Sequence, residues 1–303
     1  MNRYLSLIVK ASLLLALFIS QVVAQQDLSA DAKTYFQQGR QHYIQNRLEQ
    51  AVEALQHAIR LNPDYAEAHL LLGNVYAKLL RWKEAIESYK QSIRINPDSA
   101  EAHYNWASAY ANIGSYREAV EPFKRAIQIN PALFEPHLNL GVTYGKMGLF
   151  DEAIEELRRA LSIRPDSAEA HYNVGVVHGR RGQWREAVEE YKQTIRIKPD
   201  YAEAHYSIGF ASLILGSYQV ALESFKQAIL NKSRRTPTQL SQAYFGIGQA
   251  YAGLSSFDEA LSAYRQATEL NPNYAEAYNS IGAVYIQLAR YREAVEALQK
   301  AIK

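Results

Sequence analysis

Apolar residues recur along most of this chain at the three-and-four spacing of a helix face, in short runs separated by breaks. In one run Leu72, Tyr76 and Leu79 fall on a single side; in the next, Trp82, Ala85, Ile86, Tyr89 and Ile93 do the same. A short turn joins the two, and in later pairs it holds Gly114, Gly148, Gly182 or Gly216. The stretch Ile95-Asn96-Pro97-Asp98 then ends one helix and begins another, because proline cannot continue a helix and aspartate can cap one. The pattern predicts helix–turn–helix pairs set end to end.

The pairs keep a fixed ruler. Pro63, Pro97, Pro131, Pro165 and Pro199 stand 34 residues apart. A glycine column (Gly39, Gly73, Gly141, Gly175, Gly209, Gly248, Gly282) follows the same step, with Ala107 the exception. An alanine column (Ala51, Ala85, Ala119, Ala153, Ala187, Ala221, Ala260, Ala294) has no exception, and an aromatic or leucine comes four residues after each member. The step is 34 throughout except between the sixth and seventh repeats, where it is 39. Neither helix of a pair can bury its stripe alone, so successive pairs must stack into a solenoid with a concave groove.

On these columns the chain resembles the tetratricopeptide repeat (TPR) family, whose pattern W-x2-L-G-x2-Y…A-x3-F…P has this period. The resemblance covers residues 32–303 as eight repeats, starting near 32, 66, 100, 134, 168, 202, 241 and 275. It implies an all-α fold, a right-handed superhelical α-solenoid of eight helix-turn-helix repeats, and a role in protein–protein interaction.

The first 24 residues stand apart. Arg3 and Lys10 precede an apolar run that closes on Val22-Val23-Ala24, the layout of a cleaved secretory signal peptide. The alternative is an uncleaved anchor, but Ala11 to Ala24 is shorter than the roughly 20 residues a spanning helix needs. Residues 25–31 then form a short linker. Cleavage leaves 33 − 2 = 31 Lys and Arg against 31 Asp and Glu, a balance that argues against nucleic acid and against stable membrane association. Cysteine is absent, which excludes disulfides, thiolate catalysis and a lipoprotein anchor. The expected location is extracytoplasmic, a bacterial periplasm above all.

Two further columns raise the question of chemistry. His69, His103, His137, His171 and His205 each occupy the fourth position of a first helix, where other repeats carry Tyr35, Tyr244 or Tyr278. Equivalent side chains on stacked helices step by about 8–10 Å, whereas zinc holds its nitrogens at about 2.0–2.1 Å. The histidines are therefore expected as core fillers, with no metal and no cofactor. Glu67, Glu101, Glu135, Glu169, Glu203 and Glu276 form the second column. All but Glu135 lie three residues after Asp64, Asp98, Asp166, Asp200 or Asn273, a spacing that predicts capping boxes.

Partner binding in TPR proteins uses first-helix positions on the concave side, and the resemblance transfers these to Tyr104, Leu138, Tyr172 and Tyr206 (fifth), Asn105, Asn139 and Asn173 (sixth), and Val142, Val176 and Phe210 (ninth). This strip is rich in tyrosine that stacking should not need, a composition suited to a binding surface. The three asparagines are similar to the asparagine ladder in the TPR arm of O-GlcNAc transferases, since a side-chain amide can bracket a peptide backbone of any sequence. The carboxylate clamp of chaperone-tail-binding TPR domains is not matched: Asn74 has Leu70 where lysine is needed. The extra residues between repeats six and seven predict a fresh start at Thr236-Pro237-Thr238-Gln239 and a helix about one turn longer. They also place Lys232, Arg234 and Arg235 in a basic corner, either a solvated loop or a secondary contact for an acidic partner. At the end of the chain, Leu298 and Ile302 lack a following helix, an end expected to dock to another copy, as self-association, or to a partner protein.

No phosphate-binding glycine loop, zinc-protease pair or nucleophile elbow occurs, so no catalytic residue is assigned. The expected function is a non-enzymatic envelope scaffold that binds a protein or an extended peptide. A membrane-tethered organiser of an assembly or secretion system is the alternative, and an enzyme ranks below both.

Overall fold

The computed structural model describes residues 30–230 and 235–302. The signal peptide, most of the linker, Lys232 and Arg234 lie outside them. Sixteen α-helices and no strand occur among the described residues. The chain divides into two compact units between Met147 and Gly148.

In the first unit α1 (30–44) and α2 (Leu48–Leu61) make the opening pair. They are followed by α3 (Ala66–Lys78) with α4 (Trp82–Ile95), α5 (Ala100–Asn112) with α6 (Tyr116–Ile129), and then α7 (Phe134–Met147). The second unit begins with α8 (Phe150–Ile163) and continues as α9 (Ala168–Arg180) with α10 (Trp184–Ile197) and α11 (Ala202–Ile214) with α12 (Tyr218–Ala228). It closes with α13 (Pro237–Gly253), α14 (Phe257–Leu270), α15 (Ala275–Gln287) and α16 (Tyr291–Ala301). Within each unit a helix packs on its sequence neighbours, and first helices also touch one another, as α3 does α5 and α11 does α13. Short connections and local contacts of this kind build a repeat array.

The turn inside each pair is fixed by backbone hydrogen bonds. The amide of Arg81 donates to the Tyr76 carbonyl (2.9 Å) and that of Leu80 to Ala77 (3.0 Å), the two bonds of a Schellman cap. Such a cap needs a left-handed residue. Gly114, Gly148, Gly182 and Gly216 supply it with φ of 71–81°, but Asn46, Leu80, Ser255 and Ala289 adopt it at 57–60°. An L side chain in this region costs roughly 1–2 kcal/mol, and Leu80 is also 71% exposed, so its side chain contributes little in return. Leu80→Gly is expected to stabilise the protein by about 1 kcal/mol, read as a higher urea midpoint; an unchanged or lower midpoint would contradict this.

The columns explain the packing. All eight alanines of the alanine column are at most 2% exposed. Opposite them the glycines leave room for rings: a Cβ on Gly73 would lie 2.4 Å from the Tyr89 ring, and one on Gly175 would lie 2.6 Å from Tyr191. Tyr89 and Tyr191 are buried, and burial drives their hydroxyl pKa values upward.

The caps between repeats differ from the expectation. The capping residues are those one place later: Ser99 Oγ accepts from Ala102 N (3.2 Å) and Ser167 Oγ from Ala170 N (3.1 Å), while Tyr65, Tyr201 and Tyr274 make no side-chain cap. The aspartates are drawn outward instead, Asp64 to Arg94 (3.0 Å) and Asp98 to Arg125 (2.9 Å). The preceding asparagines close the turn, as Asn62 Oδ1 accepts from Asp64 N (3.3 Å) and Asn130 Oδ1 from Ala132 N (3.1 Å). The glutamates keep only the macrodipole part of their assigned role, in the first turn of each helix. Between the sixth and seventh repeats the capping box does form: Thr236 Oγ1 accepts from Gln239 N and Gln239 Oε1 from Thr236 N. It opens α13, which runs 17 residues against 13 in α11.

Candidate functional site

The histidine column has a specific structural task. Each Nε2–H donates to the carbonyl of the proline six residues earlier, at 2.9 Å for His69, 3.0 Å for His103, 3.2 Å for His137, 3.3 Å for His171 and 2.8 Å for His205. The ring thus pins the first turn of a first helix to the loop that enters it through its Nε2–H, and in His171 Nδ1 also lies 2.7 Å from Glu190 Oε2. In His103 the second nitrogen, Nδ1, is buried without a partner. Desolvation by burial, foremost, lowers its pKa, against the opposing pull of the Pro97 carbonyl. Because the neutral ring is the native one, the unfolded chain takes up a proton first. Stability is complete above about 6.5, the unfolded value, and falls as pH drops from there to the lower native pKa. His103→Tyr is expected to flatten this limb below pH 6.5. An equal slope in urea titrations of both proteins would contradict it.

In the first unit the predicted strip is tied into the fold. Tyr89 OH and Asn105 Nδ2 both donate to Asn74 Oδ1, each at 2.9 Å, and Asn139 Nδ2 donates to Tyr104 OH at 3.0 Å. Two of the three asparagines therefore commit one amide N–H within the protein. Asn74 at a ninth position is likewise occupied. Leu138 is 5% exposed, which corrects its assignment to a contact surface; Val142 is half-buried. A shallow concavity of about 390 Å³ remains, walled by Tyr43, Lys78, Trp82, Tyr104 and Asn105.

The tyrosine stripe also needs correction, because stacking does use it. Tyr104 packs on Phe123 (ring centroids 6.1 Å apart), Tyr172 on Tyr191 (5.5 Å) and Tyr206 on Phe225 (5.4 Å). Tyr172 additionally stacks on Tyr201 (5.1 Å), and Phe245 makes a tilted contact with Tyr274 (5.0 Å). Fifth-position rings thus bridge their own second helix and the entry of the next repeat. They remain half-buried.

The second unit gathers the most complete surface. Along α11, Phe210 is 46% exposed with its edge on Trp184 (5.8 Å), and Ile214, one turn further, is 48% exposed. Val176 and Tyr172 are half-buried on α9, and Asn173 Nδ2 caps back onto the Glu169 carbonyl of its own helix (3.0 Å). Beside them a cavity of about 170 Å³ opens between α11, α12 and α13. Tyr172, Tyr206 and Ile229 line it together with Glu203, Gln242 and Arg235. Arg235 is the one member of the basic corner among the described residues. It is not a solvated charge: its side chain is 17% exposed, Nη1 reaches Glu203 Oε1 at 3.3 Å, and Nε is buried without an acceptor. The structure thus joins two regions the sequence left apart. Ile214 and Gln242 went unnoticed; Ile214 was within reach, standing four residues after Phe210 on an exposed stripe.

No group of three or more metal-binding side chains assembles among the described residues, and none of their helices is long and apolar enough to cross a membrane.

Comparison with known proteins settles the class. A family profile described as "TPR repeat" matches residues 32–79, 81–114, 107–148 and 248–289, and two described as "Tetratricopeptide repeat" match 132–200 and 175–239. The chain belongs to the tetratricopeptide repeat family. Among solved structures it is similar to MamA, with 28% identity, 57% of this chain and 94% of that one covered, and a TM-score of 0.54. It is similar to YrrB, described as a TPR protein with an unusual peptide-binding site, at 26% identity over 59% of this chain and 90% of that one, TM-score 0.52. A tetratricopeptide repeat protein from Parabacteroides merdae covers more, 90% of this chain and 100% of its own, at 16% identity and a TM-score of 0.63, which bears on the fold alone. No curated protein matches significantly.

Proposed function

We propose that this protein is a non-enzymatic scaffold that binds an extended peptide, or an extended segment of a protein, on its first helices, with the main contact in the second unit. The carrying observation is the stripe of Phe210 and Ile214 beside the cavity at Arg235: exposed aromatic and aliphatic surface next to a few convergent polar groups. A flat apolar stripe takes side chains without regard to their order, and the polar groups set the register of the bound segment. The resemblance to YrrB supports a peptide as the ligand.

The layout of residues 1–24 places the mature protein outside the cytoplasm in this reading, beginning at Gln25. Sequencing the mature N-terminus tests the location, and a chain still starting at Met1 in the membrane fraction would favour a tethered organiser instead. Binding itself is tested by selecting displayed random peptides on the full chain and on Phe210→Ser. Retention by the native protein alone supports the surface. Equal retention by both removes it.

A further inference from the structure

The cavity between α11, α12 and α13 is lined by Arg235, which immediately precedes the capping box that starts α13. Its floor is apolar, made by Ala202, Ala228 and Ile229, and one wall is the half-buried ring of Tyr206. At its polar side stand a guanidinium and a carboxylate. Arg235 carries five N–H donors, of which one is met, by Glu203 at 3.3 Å, a long contact for a charged pair. Its Nε is shut away from solvent with nothing to accept from it, a costly arrangement that an entering acceptor relieves as the guanidinium turns toward it. Glu203 is half exposed, and among the described residues its side chain accepts only that one bond. The pair therefore offers donors and an acceptor side by side, and carries no net charge of its own.

Chemistry narrows what fits. A carboxylate side chain would satisfy Arg235 but face Glu203, and an ammonium would do the reverse. An aliphatic group would leave the buried Nε unpaired. A carboxamide answers both, since its oxygen accepts from Arg235 while its NH₂ donates to Glu203. A cavity of this size holds a group about as large as a benzene ring, enough for the two methylenes and the amide of glutamine. Resting on the peptide-binding reading above, we propose that this cavity is a subsite for a glutamine side chain of the bound segment, and that it fixes the segment's register.

The test titrates the full ¹⁵N-labelled chain with N-acetylglutamine methylamide and with its glutamate, leucine and lysine counterparts. The glutamine compound is expected to shift the Tyr206 and Ser207 amides and the Arg235 Nε–H saturably, with affinity at least about tenfold above the other three. Glu203→Gln removes the like charge at an exposed position and is expected to turn the preference toward glutamate; Arg235→Lys, which retains the charge but lacks the fork, is expected to lose the preference. Tighter binding of the glutamate, leucine or lysine compound to the native chain overturns the proposal. So do shifts confined to other residues, or no saturable shift. The random-peptide selection separates the two readings. Peptides retained without a common glutamine would refute the subsite and leave the binding surface standing. A saturating glutamine titration with no peptide retained would support the cavity and refute the extended-peptide reading.

Discussion

Phe225→Ala is expected to destabilise the second unit by about 3–5 kcal/mol. The ring is 1% exposed and is held from both sides by backbone. A Cβ on Gly209 would meet it at 2.9 Å and one on Gly246 at 2.5 Å, so the ring wedges between the first helices of two successive repeats. The edge of Tyr206 closes a third side, 5.4 Å between centroids. Removing the ring opens a space faced by two glycines, which carry no side chain to fill it. The loss therefore belongs at the upper end of the range for an aromatic truncation. It also weakens the interface between α12 and α13, and in a repeat array interface terms carry the cooperativity. Urea unfolding followed by circular dichroism is expected to show a lower midpoint and a broader or divided transition. A loss under about 1 kcal/mol would contradict the wedge.

The second large effect concerns binding. Phe210→Ser/Ile214→Ser is expected to weaken the retained peptide about a hundredfold, a sum of two anchors near the hot-spot range. Both side chains are nearly half exposed, so little of the core depends on them; the edge contact of Phe210 with Trp184 is the main packing lost. Stability should drop by no more than about 1–2 kcal/mol. Fluorescence titration of a selected peptide against both proteins measures the first quantity, and thermal unfolding the second. Truncating Tyr172 or Tyr206 is a poorer test of the same surface. Those rings pack on Tyr191 and Phe225, so their removal would mix lost binding with lost folding.

Much of this architecture is legible in the sequence because the helices are dictated locally and the packing repeats. Gly73 and Gly175 are small for one reason, the ring of Tyr89 or Tyr191 lying where a Cβ would be, and that reason recurs on a fixed ruler beside the buried alanine column. Thr236 and Gln239 act within one turn of helix, so their capping box was visible as a short motif. What was hidden depends on geometry between elements. The histidine-to-proline hydrogen bond spans six residues across a turn, although both columns sit on one ruler and their constant offset was the available signal. The cap moved from Asp98 to Ser99 because the aspartate is drawn away to Arg125 on α6, the second helix of the same repeat. Asn105 and Asn139 were read as free to meet a ligand, yet their partners, Asn74 and Tyr104, lie one repeat away. Arg235 looked like one more charge in a basic run. Only the fold shows Glu203 waiting opposite, 32 positions earlier in the chain.

The most direct test of the binding surface is site-specific photo-crosslinking. A benzophenone side chain placed at position 210, on α11, and separately at the exposed Lys192 on α10, is activated in cells producing the full chain. If the first helices of the second unit hold an extended partner, position 210 forms a discrete adduct that maps to one short segment of one protein, and position 192 forms none. Adducts of equal yield at both positions, or none from 210, would contradict a partner bound on that face.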